Sequence, residues 1–451
     1  MIGFIPIIFL ITLLGVQFVY VGDTRPYVPL FFATALTFCI GLCRGKKWKD
    51  LSAQAFATVA QTLNAMAVYL LIGPMIASWI ASGTLPFFII GGAKLVTSRT
   101  LLPVAFALTA LAGIPMGSGI SVVGTVGVAM AGLAEVLGVS LPEIAGAVAA
   151  GAFWGNAVSP ASSSTNVAVP LVGSTVGDHT ALSLKKLWIP FVLSLLFYAL
   201  WGVHYESQVS ATPELLLELE EFFHPSWISV LPLLLLFGMM LLGKPTLASF
   251  FCSITAALLL ALFSGRLELA SVPSLLVDGY RYGGSNAKMA LMLNRGGFNS
   301  MMSLVLLLLT AMTFGGSFKA SGLLDDTMKL LTRMVRGAWS LRLIGITAVT
   351  LTGAFTGSIV LSIVLVGGLL APLCSRYGLS NAEFGVVLAG AAVTSAPLFP
   401  WSSCGTCIIT VMHLPAGTSG LMYVPFSSAC LITVLWLIFS PLSRKDEGKS
   451  L

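Results

Sequence analysis

Two short stretches of this chain concentrate the side chains that hold small ligands through neutral oxygens. Ser159-Pro160-Ala161-Ser162-Ser163-Ser164-Thr165-Asn166 places six hydroxyl or amide groups beside a proline. Thr394-Ser395-Ala396-Pro397 and Pro400-Trp401-Ser402-Ser403-Cys404-Gly405-Thr406 form a counterpart. Proline interrupts a helix, and in a bilayer the freed backbone N–H and C=O groups must face a cavity, an ion or protein. A single cluster of this kind is read equally well as glue between helices. Two clusters in register favour a site, built from Asn156, Ser159, Ser162, Ser163, Thr165, Asn166, Thr394, Ser395, Ser402 and Ser403.

The register comes from an internal repeat at an offset of 240 residues. Gly117-Ser118 aligns with Gly357-Ser358, Gly138 with Gly378, Ser140 with Ser380, Glu143 with Glu383, Pro160 with Pro400, and Ser162-Ser163 with Ser402-Ser403. Matches at glycine, proline and serine are not what chance similarity among apolar helices produces. Duplicated halves with helix breaks at matching positions mark a secondary transporter whose site lies at the repeat interface near mid-membrane.

The elements that carry these clusters are membrane spans. Of 451 residues 57% are hydrophobic and 9% charged, and the mean hydropathy is +0.97. A soluble domain carries about 25% charged residues, so the composition excludes a soluble globule. The net charge of +6 is spread over loops and leaves no basic face for nucleic acid. The expected fold is an all-α polytopic membrane protein of about 11 to 13 segments, in two inverted repeats with broken or re-entrant helices. Its parts are an N-terminal hairpin (1–50), a first repeat (51–203), an acidic connection with the start of the second half (204–243), a second repeat (244–441) and a polar tail (442–451). The connection includes Glu206, Glu214, Glu218, Glu220 and Glu221 without a Lys or Arg, which favours an external location. Asp23 and Arg25 lie in the turn between the first two spans, and Arg44, Lys46, Lys47 and Lys49 follow the second. That basic loop places the N-terminus in the cytoplasm.

Few acids sit near the spans. Glu143 and Glu383 each follow a serine by three residues, the spacing of a capping box, and are assigned to helix starts. Glu135 ends an apolar run, where a carboxylate needs an interface, a partner or an ion. Asp178-His179 reads as a solvated turn, although imidazole titrates near neutral pH. Cys404 and Cys407 have dithiol spacing without a redox-fold context and read as packing, as do Trp154 and Trp401.

An ordered set of motifs resembles the NhaC family of sodium/proton antiporters: Trp79-Ile80-Ala81-Ser82-Gly83, Gly124-Thr125-Val126-Gly127, Gly151-Ala152-Phe153-Trp154-Gly155, Ser159-Pro160-Ala161-Ser162 with Thr165-Asn166, Arg295-Gly296-Gly297 with Ser300-Met301-Met302, and Pro400-Trp401 with Cys404-Gly405. The resemblance spans nearly all of the chain after the first two spans. It implies a carrier of the bacterial cytoplasmic (inner) membrane, of the ion-transporter superfamily. Members exchange sodium for protons or, in some cases, sodium and a monocarboxylate for protons and a dicarboxylate. The chain departs from the pattern where members usually carry Asp, having Asn156 and Ser163, and it lacks an acidic pair upstream of Thr394.

Two mechanisms follow. In sodium/proton antiport, Na+ sits among neutral oxygens at Asn156, Ser162, Ser163 and Thr165, while Glu135 or His179 carries the proton. In the alternative, a small organic solute, a carboxylate or amino acid, is received by half-helix N-termini and hydroxyls. No cofactor or enzymatic activity is expected, Na+ and H+ being transported or coupling ions. No nucleotide-binding fingerprint accompanies the spans, so the energy source is an existing ion gradient.

Overall fold

A computed structural model of the chain describes residues 5–17, 20, 26–205, 213–224, 226–414 and 421–441. The turn holding Asp23 and Arg25, Glu206, and the tail 442–451 lie outside the described residues. The fold is that of an all-α polytopic membrane protein. Among the described residues six helices are long and apolar enough to cross a bilayer, and counting each of two bent helix pairs as one span raises the number to as many as eight. The expected 11 to 13 segments are reached only by counting shorter apolar helices of 10–17 residues, among them Tyr27–Cys43 and Ile359–Leu370.

Hydrogen bonds and ion pairs sort the helix ends onto two faces. Arg44, which ends the Tyr27–Cys43 helix, pairs with Asp326 at 2.8 Å and donates to Ser321 O. The C-terminal end of Phe298–Ala320 therefore shares a face, called here the first, with Arg44. At the opposite, second face, Ser82 O accepts from Arg266 and from Ser229 Oγ just past the Leu63–Ala81 helix.

Ser98–Met116 and Gly119–Leu137 form a hairpin whose ends meet where Ser98 Oγ donates to Leu137 O, and Glu135 near that end pairs with Arg295. Arg295 precedes Phe298–Ala320, so this hairpin enters from the second face. Ala338–Thr356 and Ile359–Leu370, extended by Pro372–Tyr377, make the repeat-related hairpin. Tyr377 OH bonds to Val335 O at its base. It enters from the first face, following the helix that holds Asp326. The two hairpins are thus inverted with respect to the membrane.

Repeat-matched residues do matched backbone work. Gly117 (φ 59°) and Gly357 (φ 66°) turn the hairpin tips in the left-handed region, which glycine tolerates. Ser118 and Ser358 then cap the returning helices by accepting from Ser121 N–H and Leu361 N–H. After each hairpin comes a broken helix, Leu141–Val158 with Ser163–Val172 and Asn381–Ser395 with Ser403–Val411, the latter pair bent by 46°. Gly173 (φ 66°) and His413 (φ 52°), again 240 residues apart, end the two distal halves.

Lipid tails are as apolar as leucine, so these helices associate through close backbone approach rather than hydrophobic burial. The first hairpin arm and its broken helix show this. A Cβ on Gly151 would lie 2.2 Å from Phe106 O, and one on Gly155 2.2 Å from Ala110 O.

The structure differs from the sequence expectation at two places. Ser140 and Ser380 do precede helices, but neither side chain makes a cap bond, so the capping boxes are not formed. Glu143 accepts instead from Trp201 Nε1, and Glu383, fully buried, pairs with Lys186 at 2.8 Å and Arg342 at 3.3 Å. Asp178 is exposed at a helix start, capped through Thr175, but His179 is buried, so the pair is not a solvated turn.

Candidate functional site

The four points at which helices restart converge. Ser118–Ser121, Ala161 with Ser163, Ser358–Leu361, and Ser403 with Cys404 line one cavity of about 750 Å³. Each group lies at the start of a helix, in its cap, its first turn or, for Ala161, just before the cap, where the N-terminus carries partial positive charge equivalent to roughly half an elementary charge when isolated. Thr58, Gln61, Thr62, Asn64 and Tyr69 complete a polar flank. Pro245–Leu247 and Lys319 line the same space toward the first face. Among the described residues no carboxylate lines the cavity, and its one charged side chain is that of Lys319.

The predicted site residues divide by task. Asn156, Ser163 and Ser403 line the cavity. Asn156 Oδ1 is buried there without a hydrogen-bond partner, an acceptor placed to meet a cation or donor. The remaining seven are not among the lining residues, and five of them have bonds that hold the breaks in shape. Ser159 Oγ donates to Ile114 O, and Thr165 Oγ1 to Ser159 O at 2.9 Å. Ser162 caps its helix through Ser164 N–H, and Asn166 Nδ2 donates to Ser162 O. Ser402 caps through Gly405 N–H and donates to Ala396 O, while Thr394 bonds back to Gly390 O within its helix. Ser395 is buried beside it. Ser403 Oγ also donates to Gly357 O at 2.7 Å, tying the second break to its own hairpin tip.

The tryptophans act as anchors outside the cavity lining. Trp154 Nε1 donates to Leu187 O and Trp401 Nε1 to Ala354 O. Neither proton candidate lines the cavity. Glu135 pairs with Arg295 near the second face. His179 packs under Gly385, with neither ring nitrogen bonded.

Sequence reasoning missed the hairpin tips as lining, although the Gly-Ser match at 117 and 357 was their signal. It also missed Lys319 and the flank from Thr58 to Asn64. Nothing local marks Lys319; only the fold brings it to the cavity that Pro245 also lines.

Inverted hairpins and broken helices around a shared polar cavity define a polytopic carrier of the secondary-transporter class. Sequence comparison gives the particular lineage. A model of the Na+/H+ antiporter family matches residues 163–440. An uncharacterized Na(+)/H(+) antiporter of Haemophilus influenzae is 30% identical, with 97% of this chain and 94% of that protein covered. The Na(+)/H(+) antiporter NhaC of Alkalihalophilus pseudofirmus is 27% identical over 93% of this chain and 92% of its own length. The arginine/ornithine antiporter ArcD of Halobacterium salinarum is 26% identical over 99% and 93%. The chain belongs to the NhaC-type Na+/H+ antiporter family.

Proposed function

We propose that the chain is an ion-gradient-coupled antiporter of a small solute bearing a carboxylate, bound in the large cavity. One observation carries this reading: four helix N-termini and Lys319 face the cavity, and no described lining residue is acidic. A carboxylate gains there from dipole ends and an ammonium, whereas a bare cation meets them unfavourably. The relative named for arginine and ornithine has substrates that carry a carboxylate, which supports the same class. The solute's donor, where it has one, is met by Asn156 Oδ1.

The first face bears Arg44, Lys46, Lys47, Lys49, Lys244, Arg336 and Arg376 and is taken as cytoplasmic, in the inner membrane of a bacterium. The N-terminus then lies inside and the cavity reaches toward the cytoplasm. Sodium/proton antiport is the second reading, favoured by the unpartnered Asn156 Oδ1 and by the relatives' names, and it takes Glu135 or His179 as the proton carrier outside the cavity. Na+ then sits at Asn156 and Ser163, with the break formed by Ser162 and Thr165 as its support.

Reconstituted protein separates the two. Under an imposed sodium or proton gradient, uptake of labelled L-lactate, L-malate and L-ornithine is measured alongside a trapped pH dye. At least one carboxylate accumulates, and Lys319→Gln raises its KM about fivefold, roughly 1 kcal/mol. Sodium-driven proton movement with no uptake of any of the three probes contradicts the proposal in favour of the second reading.

A further inference from the structure

A second cavity, of about 540 Å³, lies near the second face and shares no lining residue with the first. The helix Ser403–Val411 connects them. Its first turn faces the large cavity, and His413, just past its end, lines the small one. Ten residues of helical rise separate the two by about 15 Å. Between them the protein is closed by tight packing: a Cβ on Gly73 would sit 2.1 Å from Gly297 O, Gly124 abuts Ile72, and Gly127 faces Met412.

The small cavity shares one feature with the large one, basic side chains in its lining. Arg281 and Arg295 line it beside His413, and the one carboxylate among the described lining residues, Asp278, already accepts from Asn299. Tyr280, Asn294 and Ser300 add polar atoms. Arg295 is buried, and Glu135 at the base of the first hairpin holds it through Nη2. The pair joins an element of the first repeat to the loop that opens Phe298–Ala320 in the second. The distal half of the second broken helix ends in the same space. A displacement that gives the large cavity access to the second face must part these elements.

We infer that the small cavity is the second mouth of the transport path, and that Arg295, latched by Glu135, is the group that receives the substrate carboxylate there. The substrate class rests on the function proposed above, whereas the latch and the mouth rest on geometry alone. An arginine fork suits a carboxylate better than a point charge does. With Glu135 as its partner in the closed state, Arg295 is kept from binding substrate until the hairpin moves.

The test uses full-length protein in proteoliposomes of known orientation, with the exposed cysteines Cys39, Cys43 and Cys252 replaced by serine. Ser163→Cys reports on the large cavity and Ser300→Cys on the small one, each read by an impermeant maleimide. Glu135→Gln raises labelling of the Ser163→Cys reporter from the second face about fivefold. Whichever of L-lactate, L-malate and L-ornithine the chain accumulates slows labelling of the Ser300→Cys reporter when added at the second face of a protein with the latch intact, which covers the case of a variant that fails to fold. Arg295→Gln raises the KM for that same probe from the second face about tenfold more than from the first, and Arg295→Lys recovers part of it.

If the chain carries none of the carboxylate probes, the proposed function fails, and labelling still decides the mouth. Unchanged second-face access in a folded Glu135→Gln variant overturns the latch. A Ser300→Cys reporter unreactive from the second face overturns the mouth. An Arg295→Gln effect equal on both faces, or no protection by the probe that the chain accumulates, overturns the carboxylate role.

Discussion

Glu143 and Glu383 occupy equivalent repeat positions and start equivalent helices, yet their surroundings set them apart. Glu143 meets Trp201 on a partly exposed surface, while Glu383 is fully buried between Lys186 and Arg342. Those cations also hold the end of the last helix, Lys186 through Pro441 O and Arg342 through Ile438 O and Ser440 O. Removing the buried carboxylate leaves two uncompensated charges, an effect of about 3–5 kcal/mol. Glu383→Gln is expected to lower the thermal unfolding temperature of detergent-solubilised protein markedly, while Glu143→Gln changes it little. Equal shifts contradict the assignment. The sequence shows that both are helix-start acids, but not which is paired, because Lys186 and Arg342 lie 197 and 41 residues from Glu383.

At the scale of elements the breaks and tips were legible, because glycine, proline and serine act locally. The match of Ser162-Ser163 to Ser402-Ser403 reappears as two N-capped helix restarts. Which hydroxyls face the cavity was not legible. Six neighbouring polar residues look alike in sequence, and the direction of the chain through the break exposes Ser163 while it buries Ser162, Ser164 and Thr165. Helix packing yields a further prediction. Gly155→Ala forces the Leu141–Val158 helix away from Ala110 O and is expected to cost about 1–3 kcal/mol, seen as a lower unfolding temperature. Gly238→Ala, in a helix where an added Cβ meets nothing within 4 Å, is expected to be neutral or slightly stabilising. The reverse order of these two variants contradicts the packing described.

Across the whole molecule, inversion of the two repeats gives each membrane face one hairpin and the start of one broken helix. The large cavity reaches toward the face of Arg44, and the small one lies behind the Glu135–Arg295 pair on the other. That arrangement suits alternating access, in which repeats rock around a fixed site. Hydropathy and the repeat made the architecture readable, but the charge of the cavity is a tertiary property. It arises from four helix ends and a lysine that no single segment contains.

The most direct measurement is therefore an electrostatic reversal of the cavity with Asn156→Asp and Ser163→Asp combined, both positions lining it and neither anchoring a helix restart through its side chain. In folded, reconstituted double variant, carboxylate uptake is expected to fall at least about tenfold, a change of 1.4 kcal/mol or more, while sodium-driven proton movement rises. Undiminished carboxylate uptake would contradict binding of that solute between the two broken helices.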